Sequence, residues 1–166
     1  MKSIDSMKDT YTKDEVVDIL RGAIEMRARW FYLLLKEAEA KGLDVKALAE
    51  SAITKHGHMR GESAGINRET ASEFLRDLYK GADIGAFDMK VIKDEDEEAI
   101  VEFSRCALVD QWKKLGCSDE EIATLCDYAS CGDYGMVSKS PKLQIEFPEL
   151  LSKGGQCCRM IISKKK

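Results

Sequence analysis

The chain has 166 residues, 44% hydrophobic and 34% charged, the composition of one soluble domain long enough to bury a core without staples. A formal net charge of −4, with no basic stripe carrying aromatic platforms, argues against a nucleic-acid partner. The N-terminus lacks an apolar signal region and the greasiest run, Trp30 to Leu35, is too short to cross a bilayer, so the expectation is a cytoplasmic protein with no membrane partner.

In chain order, residues 1–10 read as a polar, disordered segment. Thr12 followed by Glu15 is a capping box. Apolar residues then recur at helical spacing from Val16 through Ile24 and Trp30 to Leu34, so a helix should run to about Lys41 and stop at Gly42. This long amphipathic helix could support a homodimer. A second helix should start at Asp44 and reach His56; its continuation past Gly57 and Gly61 is open. A third should start near Asn67, carry Phe74, Leu75 and Leu78 on one face, and end near Gly81. The period then changes to two at Phe87, Met89 and Val91 and again at Ala99, Val101 and Phe103, which predicts a hairpin. The acidic run Asp94–Glu98 is its exposed turn. A short helix is expected over Leu108–Leu115. Ser118 and Glu121 form a second capping box, opening a helix through Ile122, Leu125 and Cys126. Leu143, Ile145 and Phe147 read as a strand ended by Pro148, and Cys157–Ser163 as the last strand. The pattern is α+β: N-terminal helices packed on a roughly four-stranded antiparallel sheet, with two further helices between the strand pairs. Residues 11–163 make one domain, and 164–166 a basic tail.

All six cysteines lie between Cys106 and Cys158. In a reducing compartment an even count says little for disulfides, and nucleophile or metal-ligand roles come forward. Cys106 sits where a strand ends and a helix begins; the helix dipole and Arg105 both favour a thiolate there. The competing reading is a small buried packing residue. Cys126 falls on the apolar face set by Ile122 and Leu125. Asp127 follows it, and Asp133 lies nearly two turns on along the same face if the helix passes Gly132. By strand alternation Cys158 points inward with Met160 and Ile162, and Cys157 outward with Arg159. Cys117 sits in an inter-helix turn, and Cys131 is on a different helix face from Cys126. No Cys-x-x-Cys pair exists, so a zinc site would have to converge from Cys106, Cys126 and Cys158. His56 and His58 are the only histidines; they read as ligands, a base, or surface helix-end residues. Gly57 and Gly61 beside them allow a close backbone approach.

Together, Arg105-Cys106, Leu125-Cys126-Asp127, Asp133, the closing stretch from Gly154 through Cys158 to Met160, and the segment Gly57–Gly61 resemble the L-2-amino-thiazoline-4-carboxylic acid hydrolase family. The similarity runs in order from Thr12 to Ile162 and is densest over Ser104–Met160. Ala107 stands in place of the family's usual proline, and Arg159-Met160 in place of a common Asp-Phe pair. The resemblance implies a hydrolase that adds water to the amidine-like carbon of a thiazoline and breaks its carbon–sulfur bond. It implies Cys106 or Cys126 as nucleophile, with Cys158 in the same catalytic group. Asp133 or Asp127 would be the base or amidine-orienting group, Arg60 or Arg105 would hold the substrate carboxylate, and His56 would be a further substrate-binding residue. A metal-hydroxide version would use the cysteines as zinc ligands instead; the sequence itself requires no cofactor.

Two other functions stay open. One is a non-enzymatic module that binds a small molecule or a metal through its cysteine cluster. The other is a thiol redox switch built on Cys126, Cys131, Cys157 or Cys158.

Overall fold

The computed structural model describes residues 10–63 and 68–166; the expected disordered segment (apart from residue 10) and the expected helix start at Asn67 lie outside them. Thr12 caps α1 (Lys13–Ala40) through the reciprocal bonds expected of Thr12 and Glu15, and Ser118 does the same for α6 (Asp119–Val137). Between them lie α2 (Val45–Ser63), α3 (Ala71–Leu78), α4 (Asp83–Ala86), strands β1 (Met89–Asp94) and β2 (Glu98–Phe103), and α5 (Ala107–Lys114). Strand β3 (Leu143–Glu149), a short turn of 3-10 helix (Leu151–Lys153) and β4 (Cys158–Lys164) complete the chain. Each strand pairs antiparallel with its neighbours in the order β1-β2-β4-β3. The architecture is therefore α+β, as expected. No helix among the described residues is long and apolar enough to cross a membrane.

Several details differ from the sequence reading. Helix α3 starts at Ala71, where Thr70 and Glu73 form a third capping box. Helix α4 is only four residues long, too short for a periodicity to show. Strand β3 runs past Pro148 to Glu149, but the ladder shifts register between Glu146 and Glu149, and β3 is a sheet edge where a missing N–H is tolerated. The opposite edge, β1, carries its own shift between Val91 and Lys93. Lys164 belongs to β4 and pairs with Glu97, so the basic tail is one residue shorter than read. The acidic turn is tied to the start of α3, since Ser72 donates to Asp94 and the Ala71 amide donates to the Asp96 carbonyl.

Helix α2 passes straight through Gly57 and Gly61. A lone glycine in a helix interior costs about 1 kcal/mol, and tertiary packing offsets that cost here. A β-carbon on Gly57 would stand 2.2 Å from the Gly132 carbonyl oxygen, and one on Gly135 would stand 2.6 Å from that of Thr54. Helices α2 and α6 therefore meet backbone to backbone, as two bulkier surfaces could not.

Three hydrophobic clusters result, two of them large. One joins α3 and the end of α6 to the sheet through Phe74, Leu75, Val101, Met136, Ile145 and Ile162. The other joins α1, α2, α5 and α6 through Ala28, Leu35, Ala49, Trp112, Ile122 and Leu125. Trp112 is fully buried and its indole N–H donates to the Ala28 carbonyl, which locks α5 onto α1.

Candidate active site

A cavity of about 530 Å³ lies between the two large clusters. Three helices present successive turns to it. Helix α1 contributes Leu20, Ile24, Arg27 and Phe31, at spacings of three and four residues that keep them on one face. Helix α2 contributes Ile53, His56 and Arg60, and α6 contributes Cys126, Ala129, Ser130 and Asp133. The sheet and α5 close the far side with Phe103, Met160, Cys158, Cys106 and Trp112. A second cavity of about 300 Å³, lined by Arg68, Phe74 and Asp77, shares Arg60 and Leu78 with the first and holds no thiol.

The large cavity has two poles. At the charged pole, the close contact of Gly57 with Gly132 sets His56 and Arg60 across from Asp133, and Arg27 reaches in from α1. Burial raises the Asp133 carboxyl from its ordinary 3.8 to about 6, against the pull of the Arg60 and Arg27 guanidiniums. Its partial exposure is onto the cavity it lines. Burial, and after it the same two cations, lower the pKa of His56 and favour its neutral form.

At the thiol pole, Cys106, Cys126 and Cys158 line the wall and sense one another electrostatically. Cys106 is the N-cap of α5, and the amides of Leu108 and Val109 favour its thiolate. Desolvation nevertheless wins and pushes it up to about 11. Desolvation thus opposes the thiolate that the helix position favours. Arg105 lines the cavity but directs its Nε to Asp110 Oδ2 at 2.9 Å. Burial also drives Cys158 to about 12, although the Leu151 amide donates to its Sγ at 3.4 Å. Cys126 is likewise raised by burial; the Ser152 hydroxyl beside it pulls the other way without reaching full hydrogen-bond geometry. Thiols held this high are protonated near neutrality and weakly nucleophilic. Iodoacetamide at pH 7.5 is therefore expected to leave Cys106 and Cys158 unmodified in the folded protein, and to label both once it is denatured. Peptide mass spectrometry checks this, and rapid native labelling of either would contradict it.

Most of the sequence-derived candidates meet in this cavity: Cys106, Cys126, Cys158, Asp133, His56, Arg60 and Arg105 all line it. Asp127 does not. It is exposed on the other side of α6, where Lys153 Nζ holds its carboxylate at 2.7 Å. Cys157 is buried rather than outward, because it precedes β4 and strand alternation does not reach it; Glu149 accepts from its amide. Cys117 packs beside Tyr32, and Cys131 donates to the Asp127 carbonyl at 3.5 Å. All six cysteines are free thiols.

Among the described residues no three Cys, His, Asp or Glu side chains are grouped so that they could hold a metal ion. Sequence reasoning missed Arg27 and Trp112. The signal for Arg27 was a cation interrupting the face Leu20, Ile24, Phe31; Trp112 gave none beyond helical spacing.

The fold is similar to that of a trafficking protein particle complex subunit 3 from Naegleria fowleri, crystallised covalently bound to palmitic acid. The likeness has a TM-score of 0.55 at 15% identity and covers 87% of this chain and 96% of that one. No curated protein matches the sequence. The family model for L-2-amino-thiazoline-4-carboxylic acid hydrolase matches residues 21–162, a span that contains every residue of both poles except Leu20 on their rim. The chain belongs to the L-2-amino-thiazoline-4-carboxylic acid hydrolase family.

Proposed function

We propose that the protein opens the ring of a small cyclic amidine of the 2-amino-thiazoline carboxylate type, with Asp133 as the proton-transfer group. One observation carries the reading: a carboxyl facing a cavity, raised to about 6 by burial and flanked by two guanidiniums. A group poised near neutrality can both take a proton and return it.

The reaction consumes one water. Asp133, as carboxylate, takes a proton as water oxygen bonds to the amidine carbon. The second hydrogen of the water passes to the ring nitrogen as the carbonyl forms, the carbon–sulfur bond breaks, and the Asp133 carboxylic acid protonates the departing sulfur. Water oxygen ends as the carbonyl of an N-carbamoyl amino acid that now bears a free thiol. Arg27 and Arg60 supply positive charge for the substrate carboxylate. Neutral His56 can donate or accept one hydrogen bond at the amidine. In this reading the half-buried thiols form a soft apolar wall, and Asp133 takes the place of the Cys106 and Cys126 roles implied by resemblance.

Incubation with 2-amino-thiazoline-4-carboxylate, followed by mass spectrometry of the small molecules, tests the reading. The expected product is heavier than the substrate by one water and carries an alkylatable thiol. Saturable binding without that product between pH 5 and 9 would instead identify a non-enzymatic binding module.

A further inference from the structure

We infer that the natural ligand is longer than the bare ring acid: a polar, carboxylate-bearing head at the charged pole joined to an apolar body that reaches the thiol pole. This deepens the hydrolase reading and rests on it only for the head. Cys126 and Asp133 are seven residues apart on one continuous helix, about 10 Å along its axis. A bare amino-thiazoline carboxylate has about nine non-hydrogen atoms, whereas a cavity of this size belongs to the roughly 300–1,000 Å³ class that holds much larger ligands. The polar side chains Arg27, His56 and Arg60 are exposed and form the mouth, while Trp112 is fully buried at the floor. Ala129 lies between the poles on α6, and Phe31 and Phe103 also line the cavity, beside Trp112 and Cys158 respectively. A head group alone would leave this apolar stretch facing water.

The test uses the full chain and two probe series. One is n-alkyl carboxylates from acetate to decanoate, measured by calorimetry. The other is 2-amino-thiazoline-4-carboxylates with alkyl groups of rising length at ring carbon five, measured by turnover. Affinity should tighten about fourfold per buried methylene until the floor is reached and then level off. Ala129→Phe, which fills the interval, should flatten the series; the wild-type series is decisive if that variant does not fold. Length-independent affinity overturns the inference. Length-dependent binding with no turnover of any ring compound supports it and sinks the hydrolase reading.

A separate observation concerns the opposite face of α1. Val16, Ile19, Ala23, Met26, Trp30 and Leu33 are all exposed, Trp30 at 67%, and alternate three and four residues apart. That is a coiled-coil seam turned away from the body of the protein. The geometry points to a second copy packed antiparallel along it. In that register Val16 faces Leu33, Ile19 faces Trp30 and Ala23 faces Met26, with small residues opposite large ones at the centre. Residues 13–26 carry four carboxylates against two cations, and residues 27–40 three cations against two carboxylates, so antiparallel pairing sets opposite net charges together. A helix about 42 Å long would bury roughly 1,000 Å² in total, the lower bound for a specific interface. Light scattering should show a dimer at micromolar concentration. Ile19→Glu and Trp30→Lys should each give monomers, and the combined variant should restore the dimer, since the two positions face one another only when antiparallel. A monomeric wild type, or a dimer indifferent to both single changes, overturns the assignment.

Discussion

Replacing Asp133 with Asn is expected to lower kcat/KM for ring opening by about 10²–10⁴, while leaving a protein that is more stable than the original above pH 6. The two effects share one cause. Folding raises the Asp133 pKa from 3.8 to about 6, so the native state binds that proton more tightly than the unfolded chain does. The stability linked to this group is fully present below about pH 4 and is lost as pH rises through about 6. At pH 8 the native protein therefore carries a half-buried, poorly solvated carboxylate at a cost of up to about 3 kcal/mol, which the amide does not carry. Thermal melts of the two proteins should converge near pH 4 and diverge above 6, with the Asp133→Asn variant melting higher. Wild-type kcat/KM should rise through about pH 6 as the base ionises. Equal melting at pH 8 would mean that the carboxylate is well solvated and is not the tuned group proposed above.

Gly57→Ala is expected to destabilise the fold by about 3 kcal/mol or more, the upper range for inserting a methyl group into a packed contact. In an open helix the same exchange stabilises by about 0.5–1 kcal/mol. The sign reverses because the new carbon would fall 2.2 Å from the Gly132 carbonyl oxygen, which is backbone and cannot swing aside. Gly22→Ala on α1 is the control, since nothing lies within 4 Å of its added carbon. Urea denaturation should move the two midpoints in opposite directions. A variant at 57 that still folds should also lose activity, because separating α2 from α6 pulls His56 and Arg60 away from Asp133.

This contact also shows where sequence reading reaches and where it stops. The capping boxes at Thr12 and Ser118, the alternation of Met89 to Phe103, and the shared face of Cys126 and Asp133 are local patterns, and the folded chain keeps them. The passage of α2 through its glycines is decided by α6, some 75 residues away, and nothing within α2 announces it. The ionisation of Cys106 is a similar case. Its helix-capping position was legible, but the desolvation that overrides it comes from elements distant in sequence. Asp127 looked as good as Asp133 on paper. Helical rotation separates them, sending one to Lys153 in solvent and the other into the cavity.

The broken register at both margins of the sheet has its own consequence. A flat border strand offers unpaired amides and carbonyls to any passing chain. Here β1 shifts between Val91 and Lys93, and β3 shifts beside Pro148, which has no amide hydrogen to give. Neither border can template ladder growth into fibrils, so concentrated solutions should resist cross-β polymerisation, and recruitment of other chains is left to the helical side of the molecule.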